Sequence, residues 1–476
     1  MNGTLVPLDL AALRTALAGA ESDLLEPLDL GAVIVGPGAL DRLGDVLAEL
    51  GDGPGDVVVL AAATPMTVRG SALADAVGQR VPDRFTLNWV VLGPADGSVH
   101  ADEQTVAAAT RAAAGARCVI TVGSGTITDI GKAAAPAGPP LVAVQTATSV
   151  NGYADPFSVL LKAGVKRTTP TRWPDALIAD TDVLLDAPAR LNLAGVGDMA
   201  AMFTATADWY LAALLGAGGP PYLSEVAGLV RPHGERMLEL GAGLASDGGQ
   251  LADLAGLLTL SGIGMGVTGS TAPASGMEHA VSHLLEMAAT ATGGTSNAAN
   301  LHGEQVGVAS ITAAATWAHV RNRIAGGGLD QAARLPDPDA VSARIGAAFA
   351  RLDPSGAMAA ECLADYAVKI RLLGSGADPL ATLRATWAGC DAAIGRLLTD
   401  PARLAAGLRR VGLPARFADL PVPVDDDEAR WAVANCALQR RRFGVADLAM
   451  LMGAWEADDV DAVLAAAQAA AAGGAS

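Results

Sequence analysis

Short runs of β-branched and aliphatic residues recur through the first part of the chain, and segments with helical spacing separate them. The runs are Ala32 to Val35, Asp56 to Leu60, Asn88 to Leu92, Cys118 to Val122 and Leu141 to Val144. Leu40 to Leu50 and Val106 to Ala116 carry the helical pattern between them. Unbroken apolar strands alternating with helices are buried on both faces, so the pattern predicts an α/β domain with a mostly parallel sheet. Such sheets bind ligands in the loops at the carboxyl ends of their strands.

Beyond about residue 183 the strand-like runs disappear. Alanine- and leucine-rich segments at 197–215, 219–245, 250–265, 277–289 and 304–325 have helical spacing, and further helices are predicted within 341–398 and 425–468. The predicted organisation is an α/β domain over 1–182 and an all-α domain over 183–476. No internal repeat is visible. The final stretch, AVLAAAQAAAAGGAS, reads as a fraying helix with a loose end.

Composition narrows the classes. Of 476 residues, 51% are hydrophobic and 17% charged, enough apolar surface for a large core. The net charge of −18 argues against a nucleic-acid partner, because phosphate backbones demand a basic surplus. The four cysteines (Cys118, Cys362, Cys390 and Cys436) have no C-x-x-C spacing, which predicts reduced thiols and a cytoplasmic chain. The opening MNGTLVPLDL lacks the basic and apolar regions of a signal peptide. The uncharged stretch Leu254 to Met277 is long enough to span a membrane but contains six glycines and a proline. It is expected to be a buried helix running into a loop.

Three signals carry chemistry. Val122-Gly123-Ser124-Gly125-Thr126-Ile127-Thr128-Asp129-Ile130-Gly131-Lys132 follows a strand and opens a helix. Small residues there let a diphosphate approach the backbone, and the helix N-terminus offers amide donors; a tight strand-to-helix turn is the alternative. Of six histidines, three lie between 279 and 302. Glu278-His279-x-x-x-His283-x-x-Glu286 puts His279, His283 and Glu286 on one helical face, and His302 sits at a loop-to-helix junction. Two imidazoles plus a distant carboxylate would make a catalytic metal site with open positions; packed or capping histidines are the alternative. Asp198 follows Ala194-Gly195-Val196-Gly197, and an aspartate after glycines at a helix start is ordinarily an N-cap.

In this order, the motifs resemble the sn-glycerol-1-phosphate dehydrogenase family. That family belongs with iron-type alcohol dehydrogenases, glycerol dehydrogenase and dehydroquinate synthase. The likeness runs from GSGTITDIGK through Thr146 to Tyr153 (TATSVNGY), Gly164-Val165-Lys166, AGVGDM, TADW, PASGMEHAVSH and LHGEQVG to RRRFGVADLA. It implies a dinucleotide-binding α/β domain, a helical metal-binding domain and an active site in the cleft between them.

The resemblance further implies Asp198, His279 and His302 as metal ligands. Iron-type members have another histidine where this chain has Met202, so three protein ligands are expected, for zinc, iron or nickel. Gly123, Ser124, Gly125 and Thr126 would seat the diphosphate of NAD or NADP, and Thr146 and Ser149 would line the cofactor site. Asp129 and Lys166 would lie near the nicotinamide or the substrate, with Asn151 on the substrate side. His283 would relay a proton. A homo-oligomer acting on a small molecule, with no nucleic acid and no membrane span, is expected.

The implied reaction is hydride transfer between the nicotinamide and a small phosphorylated carbonyl or alcohol, such as dihydroxyacetone phosphate and sn-glycerol 1-phosphate. Three departures bear on it. Asn151 stands where the family usually has Asp, and Ala272 where it usually has Arg. Leu60-Ala61-Ala62-Ala63-Thr64 lacks the acidic residue expected for the adenosine ribose, which relaxes the choice between NAD and NADP. A specialised alcohol dehydrogenase of a biosynthetic pathway, with another substrate, is the competing reading. A dehydroquinate synthase-like cyclase fits less well, because those enzymes resemble G-G-G-x-x-G-D at the loop. A non-catalytic relative would not need all three ligand positions.

Overall fold

The computed structural model describes residues 9–19, 22–51, 53–94, 99–136, 138–162, 165–291, 300–374 and 378–473. The first eight residues of MNGTLVPLDL, Gly164 of the Gly-Val-Lys motif and the last three residues of the tail lie outside them.

The strands are β1 (Ala32–Gly36), β2 (Gly55–Ala62), β3 (Thr67–Val68), β4 (Ser71–Ala72), β5 (Phe85–Leu92), β6 (Cys118–Gly123), β7 (Leu141–Gln145), β8 (Phe157–Lys162), β9 (Val165–Pro170) and β10 (Ala176–Asp180). The first helices are α1 (Leu10–Gly19), α2 (Leu43–Glu49), α3 (Leu73–Gly78), α4 (Glu103–Ala113), α5 (Gly125–Ala134), α6 (Thr181–Asp186) and α7 (Ala189–Met199). They are followed by α8 (Met202–Leu214), α9 (Ser224–Met237), α10 (Gly248–Val267), α11 (Met277–Ala291), α12 (His302–Ala325) and α13 (Pro338–Phe349). The last are α14 (Ala357–Gly374), α15 (Pro379–Leu397), α16 (Pro401–Arg410), α17 (Asp426–Asn435), α18 (Val445–Leu451) and α19 (Ala457–Ala472). These elements form two compact units. One holds the strands with α1 to α7 and α10; the other holds α8 and α11 to α19.

In the first unit, six strands form a sheet in the order β1-β10-β7-β6-β2-β5. Every pairing in it is parallel. Val57, Val59, Ile120 and Val142 point to one face and pack with Leu43 and Leu47 of α2 and Val77 of α3. Their neighbours Val58, Leu60, Val119 and Leu141 point to the other, against Ala109 of α4 and Ile127 and Ile130 of α5. Burial of each large aliphatic side chain is worth about 1.5–3 kcal/mol, so both layers of helices are held to the sheet. The strand order reverses between β2 and β6, which is where sheets of this kind leave a crevice at their carboxyl ends.

The helix predicted from the long uncharged stretch is α10, and it ends at Val267, with a short 3-10 turn following at Ala272–Ala274. It is long and apolar enough to cross a membrane by length and composition, yet its most apolar window is 83% buried inside the structure. A helix apolar all round is what a buried core position requires. It lies on β1, α6 and α7. Gly262 lets it sit on the loop after β7: a Cβ there would be 2.7 Å from Asn151 O and 2.9 Å from Ala154 O.

Several elements differ from the sequence expectation. Ala176–Asp180 is a strand, inserted between β1 and β7, although no strand was expected there. The single helix expected at 197–215 is two, α7 and α8, interrupted at Ala200 and Ala201. The stretch 219–245 contributes only α9 as α-helix, and 341–398 divides into α13, α14 and α15.

In the second unit, α12 is the central helix and packs on α8, α11, α16, α18 and α19. Asp208 of α8 is buried among them. Its carboxylate accepts from the backbone N–H of Met277 at 2.9 Å, that of Val445 at 3.0 Å and the Trp317 indole N–H at 3.1 Å. One TADW side chain thereby joins the start of α11, the start of α18 and the middle of α12. Burial first, and then the nearby Glu278, pushes the Asp208 carboxyl up to about 7.

Candidate active site

At the carboxyl end of β6, Gly123 pairs in register with Gln145, and α5 starts two residues later with Ser124 as its N-cap. A Cβ on Gly123 would lie 2.6 Å from Ile127 Cγ1, and one on Gly125 would lie 2.6 Å from Val150 Cγ2. The glycines are therefore demanded by the tight turn itself. The same turn sets the first amides of α5 at the sheet's carboxyl edge, where no preceding helical turn supplies them with carbonyls. Thr126 is half-buried. Thr146 and Ser149, 7% and 8% exposed, follow β7 on the same edge. The Thr146 backbone N–H donates to Gly123 O at 3.2 Å, and the Ser149 hydroxyl lies 3.5 Å from that of Tyr153.

Asp129, expected near the nicotinamide or substrate, belongs to a buried ion cluster. Its carboxylate accepts from the Val159 N–H at 3.2 Å and lies 3.3 Å from Lys132 Nζ. Burial pushes its carboxyl up to about 6, with Lys132 pulling the other way. Lys132 is fully buried and donates to Gly152 O at 2.7 Å and Asp155 Oδ1 at 2.9 Å. Burial alone would lower its ammonium, but Asp155 and Asp129 outweigh that and hold it above its ordinary value. Lys166 is half-buried on β9.

Asp198 is not an N-cap. It lies in the last turn of α7, which begins at Ala189, so the glycines before it are inside the helix. Gly195 explains them: a Cβ there would lie 2.0 Å from Thr148 O. The helix thereby reaches the loop after β7, where Asn192 Oδ1 accepts from the Thr148 N–H at 2.9 Å. One turn past Gly195, Asp198 Oδ2 accepts from the Asn151 backbone N–H at 2.9 Å. The Asn151 side chain, expected on the substrate side, donates to Ser261 Oγ of α10 at 3.1 Å and is 8% exposed.

The histidines gather as the helical spacing predicts. His279 and His283 lie on α11 with ring centroids 6.1 Å apart, and His302 opens α12. The His302 ring is 5.2 Å from that of His279 and stacks on that of His283 at 5.5 Å. Two carboxylates that the resemblance does not assign touch this set. Glu278 Oε1 is 3.0 Å from His279 Nδ1, and Glu286 Oε1 is 3.0 Å from His302 Nδ1. Burial pushes the Glu278 carboxyl up, but the hydrogen bond and charge of His279 prevail and hold it below its ordinary value.

Among the described residues, Asp198, His279 and His302 form a candidate set of metal ligands, one carboxylate and two imidazoles, the donor types that suit a divalent ion.

Ala272, where the resemblance leads one to expect an arginine, is buried in its 3-10 turn. Two arginines reach the surrounding loop from far along the chain. Arg442 Nη2 donates to Thr271 Oγ1 at 2.6 Å, and Arg440 Nη2 to Gly276 O at 2.5 Å. The four cysteines are buried and form no disulfide.

The family model of iron-containing alcohol dehydrogenase matches residues 34–188. A glycerol-1-phosphate dehydrogenase [NAD(P)+] of Bacillus licheniformis is 38% identical over 220 residues, 45% of this chain and 53% of that protein. The match thus spans about half the length of this bacterial relative. A protein of the same name from Hyperthermus butylicus is 31% identical over 299 residues, covering 61% of this chain and 80% of the relative. The crystal structure of a probable glycerol dehydrogenase from Sinorhizobium meliloti 1021 has the same fold, with a TM-score of 0.55 and 18% identity over 93% of this chain and 96% of that one. The match to the iron-containing alcohol dehydrogenase model falls in the α/β unit. The chain belongs to the glycerol-1-phosphate dehydrogenase family.

Proposed function

We propose that the chain is a metal- and NAD(P)-dependent oxidoreductase that interconverts a small anionic carbonyl compound and its alcohol, with dihydroxyacetone phosphate and sn-glycerol 1-phosphate as the pair. The observation that carries this reading is the donor set itself, the Asp198 carboxylate with the His279 and His302 imidazoles. The names of the relatives support the cofactor and the substrate.

Asp198, His279 and His302 would hold the ion, leaving positions for water and substrate; zinc is the ion proposed, with iron and nickel as alternatives that the same donors accept. When bound, the metal supplies Lewis-acid polarisation of the substrate oxygen and the nicotinamide supplies the hydride. The chain's own part is positional. Gly123, Ser124, Gly125 and Thr126 seat the diphosphate on the N-terminus of α5, with Thr146 and Ser149 alongside. Gly195 and the Asn151 N–H orient the Asp198 carboxylate. His283, stacked on His302, carries the proton between the alcohol and solvent. Lys166 supplies positive charge for the anionic end of the substrate.

A second reading, a dehydrogenase for an uncharged substrate, is favoured by the apolar, buried Ala272. The test is a side-by-side rate measurement on zinc-loaded protein with dihydroxyacetone phosphate, dihydroxyacetone and a panel of small ketones and aldehydes. Efficient turnover of dihydroxyacetone phosphate with NADH or NADPH is expected. Activity confined to uncharged carbonyls selects the second reading.

A further inference from the structure

We propose that Glu278 and Glu286 are positioning residues that fix the ring orientation and tautomer of His279 and His302, so that each presents Nε2 to the metal. The inference rests on the metal reading above and adds two residues to it.

The geometry is the same at both histidines. His279 Nδ1 lies 3.0 Å from Glu278 Oε1, and His302 Nδ1 lies 3.0 Å from Glu286 Oε1. A neutral imidazole that donates from Nδ1 keeps its lone pair on Nε2, the other side of the ring. Both carboxylates come from α11, one at its first turn and the other two turns later. Glu278 also accepts from the Thr204 hydroxyl at 2.8 Å through Oε2 and from the Gly276 N–H through Oε1. Its fixed carboxylate therefore sets His279 rather than following it. At His302, the Ser282 hydroxyl, 3.3 Å from Nδ1, adds a second contact on the same side of the ring. Glu278 is fully buried and the Glu286 side chain is 6% exposed, so water competes little for either contact. Carboxylates placed in this way raise the basicity of a ligating imidazole and hold its plane, and their loss typically weakens metal affinity about 10–100-fold.

The test is a zinc dissociation constant for the full chain, measured by competition with a chromophoric chelator, together with the visible spectrum of the cobalt-loaded protein. Neither readout depends on turnover. Glu286→Ala should weaken zinc binding about 10–100-fold and change the cobalt spectrum. Glu286→Gln, whose amide oxygen still accepts from Nδ1, should recover most of that loss. Glu278→Gln should behave likewise. Glu286→Met, which keeps the length of the side chain without an acceptor, replaces Glu286→Ala if the latter does not fold.

Wild-type affinity in a folded Glu286→Ala or Glu286→Met chain, while His302→Ala has lost the metal, overturns this inference and leaves the metal site standing. Equal losses in the Ala and Gln variants also overturn it. A wild-type chain that binds no zinc overturns the underlying reading, and this inference with it.

Discussion

The backbone N–H of Asn151 donates to Asp198 Oδ2 at 2.9 Å, joining the loop after β7 to the last turn of α7. The bond depends on how closely α7 lies against that loop, and Gly195 sets the distance, since a Cβ there would meet Thr148 O at 2.0 Å. Gly195→Ala gains about 1 kcal/mol of helix propensity but forces the helix away from the loop. Overpacking of this kind costs about 1–3 kcal/mol, and against backbone that cannot rotate aside it should prevail. Thermal unfolding should show net destabilisation, and a zinc titration should show weaker binding. A variant that is more stable and binds zinc normally would remove Gly195 from the account.

The turn proposed to seat the diphosphate offers a second test. Gly125→Ala places a Cβ 2.6 Å from Val150 Cγ2, so the turn must open and the first amides of α5 must move. NADH binding, followed by fluorescence, should weaken at least about tenfold, the cost of roughly one hydrogen bond to a charged group. Unchanged affinity would put the diphosphate elsewhere.

No carboxylate stands in the run Leu60 to Thr64 at the end of β2. NADH and NADPH should bind with affinities within about a hundredfold of each other, because nothing in that run repels a 2′-phosphate. Parallel titrations of the two cofactors decide it; a larger preference for NADH would require an acidic residue from another segment.

Asp208 gives a pH dependence with a definite sign. Its carboxyl is pushed up to about 7 by burial and by Glu278. In the unfolded chain an aspartate titrates near ~3.9. Between these values the folded chain holds a proton that the unfolded chain releases, so this group's contribution to stability grows as pH falls from about 7 to about 4. Asp208→Asn lacks that contribution. The stability advantage of the wild type should therefore widen by about 2–4 kcal/mol over this range. Chemical unfolding at several pH values measures it, and a gap that stays flat or narrows toward acid contradicts the assignment.

The strands β2, β6 and β7 were legible because burial on both faces leaves an unbroken apolar run, as in Val57 to Leu60. The strand β10 was not, although it is buried throughout: Ala176 to Asp180 has one β-branched residue, Ile178, among alanines and a leucine that suit a helix as well, and it ends in an aspartate that caps the following helix. The break between α7 and α8 was hidden because it falls on Ala200 and Ala201, good helix formers on either side of it.

In the site, the spacing of His279 and His283 predicted one helical face, and the structure has it. The same spacing counted Glu286 with them; its pairing with His302 of the next helix is set by packing and could not be read from periodicity. The contact of Arg442 with Thr271 spans 171 residues and leaves no local pattern at all. The glycines before Asp198 suggested a helix start; they mark a close approach inside the helix, and the two signals look alike until the neighbouring backbone is known.

The central claim is that Asp198, His279 and His302 hold one divalent ion. Elemental analysis of the purified full chain, as isolated and after exposure to zinc, iron or nickel followed by desalting, tests it most directly when His302→Ala is measured beside the wild type. The account predicts one equivalent of metal per wild-type chain and a loss of most of it in the variant. No stoichiometric metal in any wild-type sample, or equal metal in the wild type and His302→Ala, would contradict it.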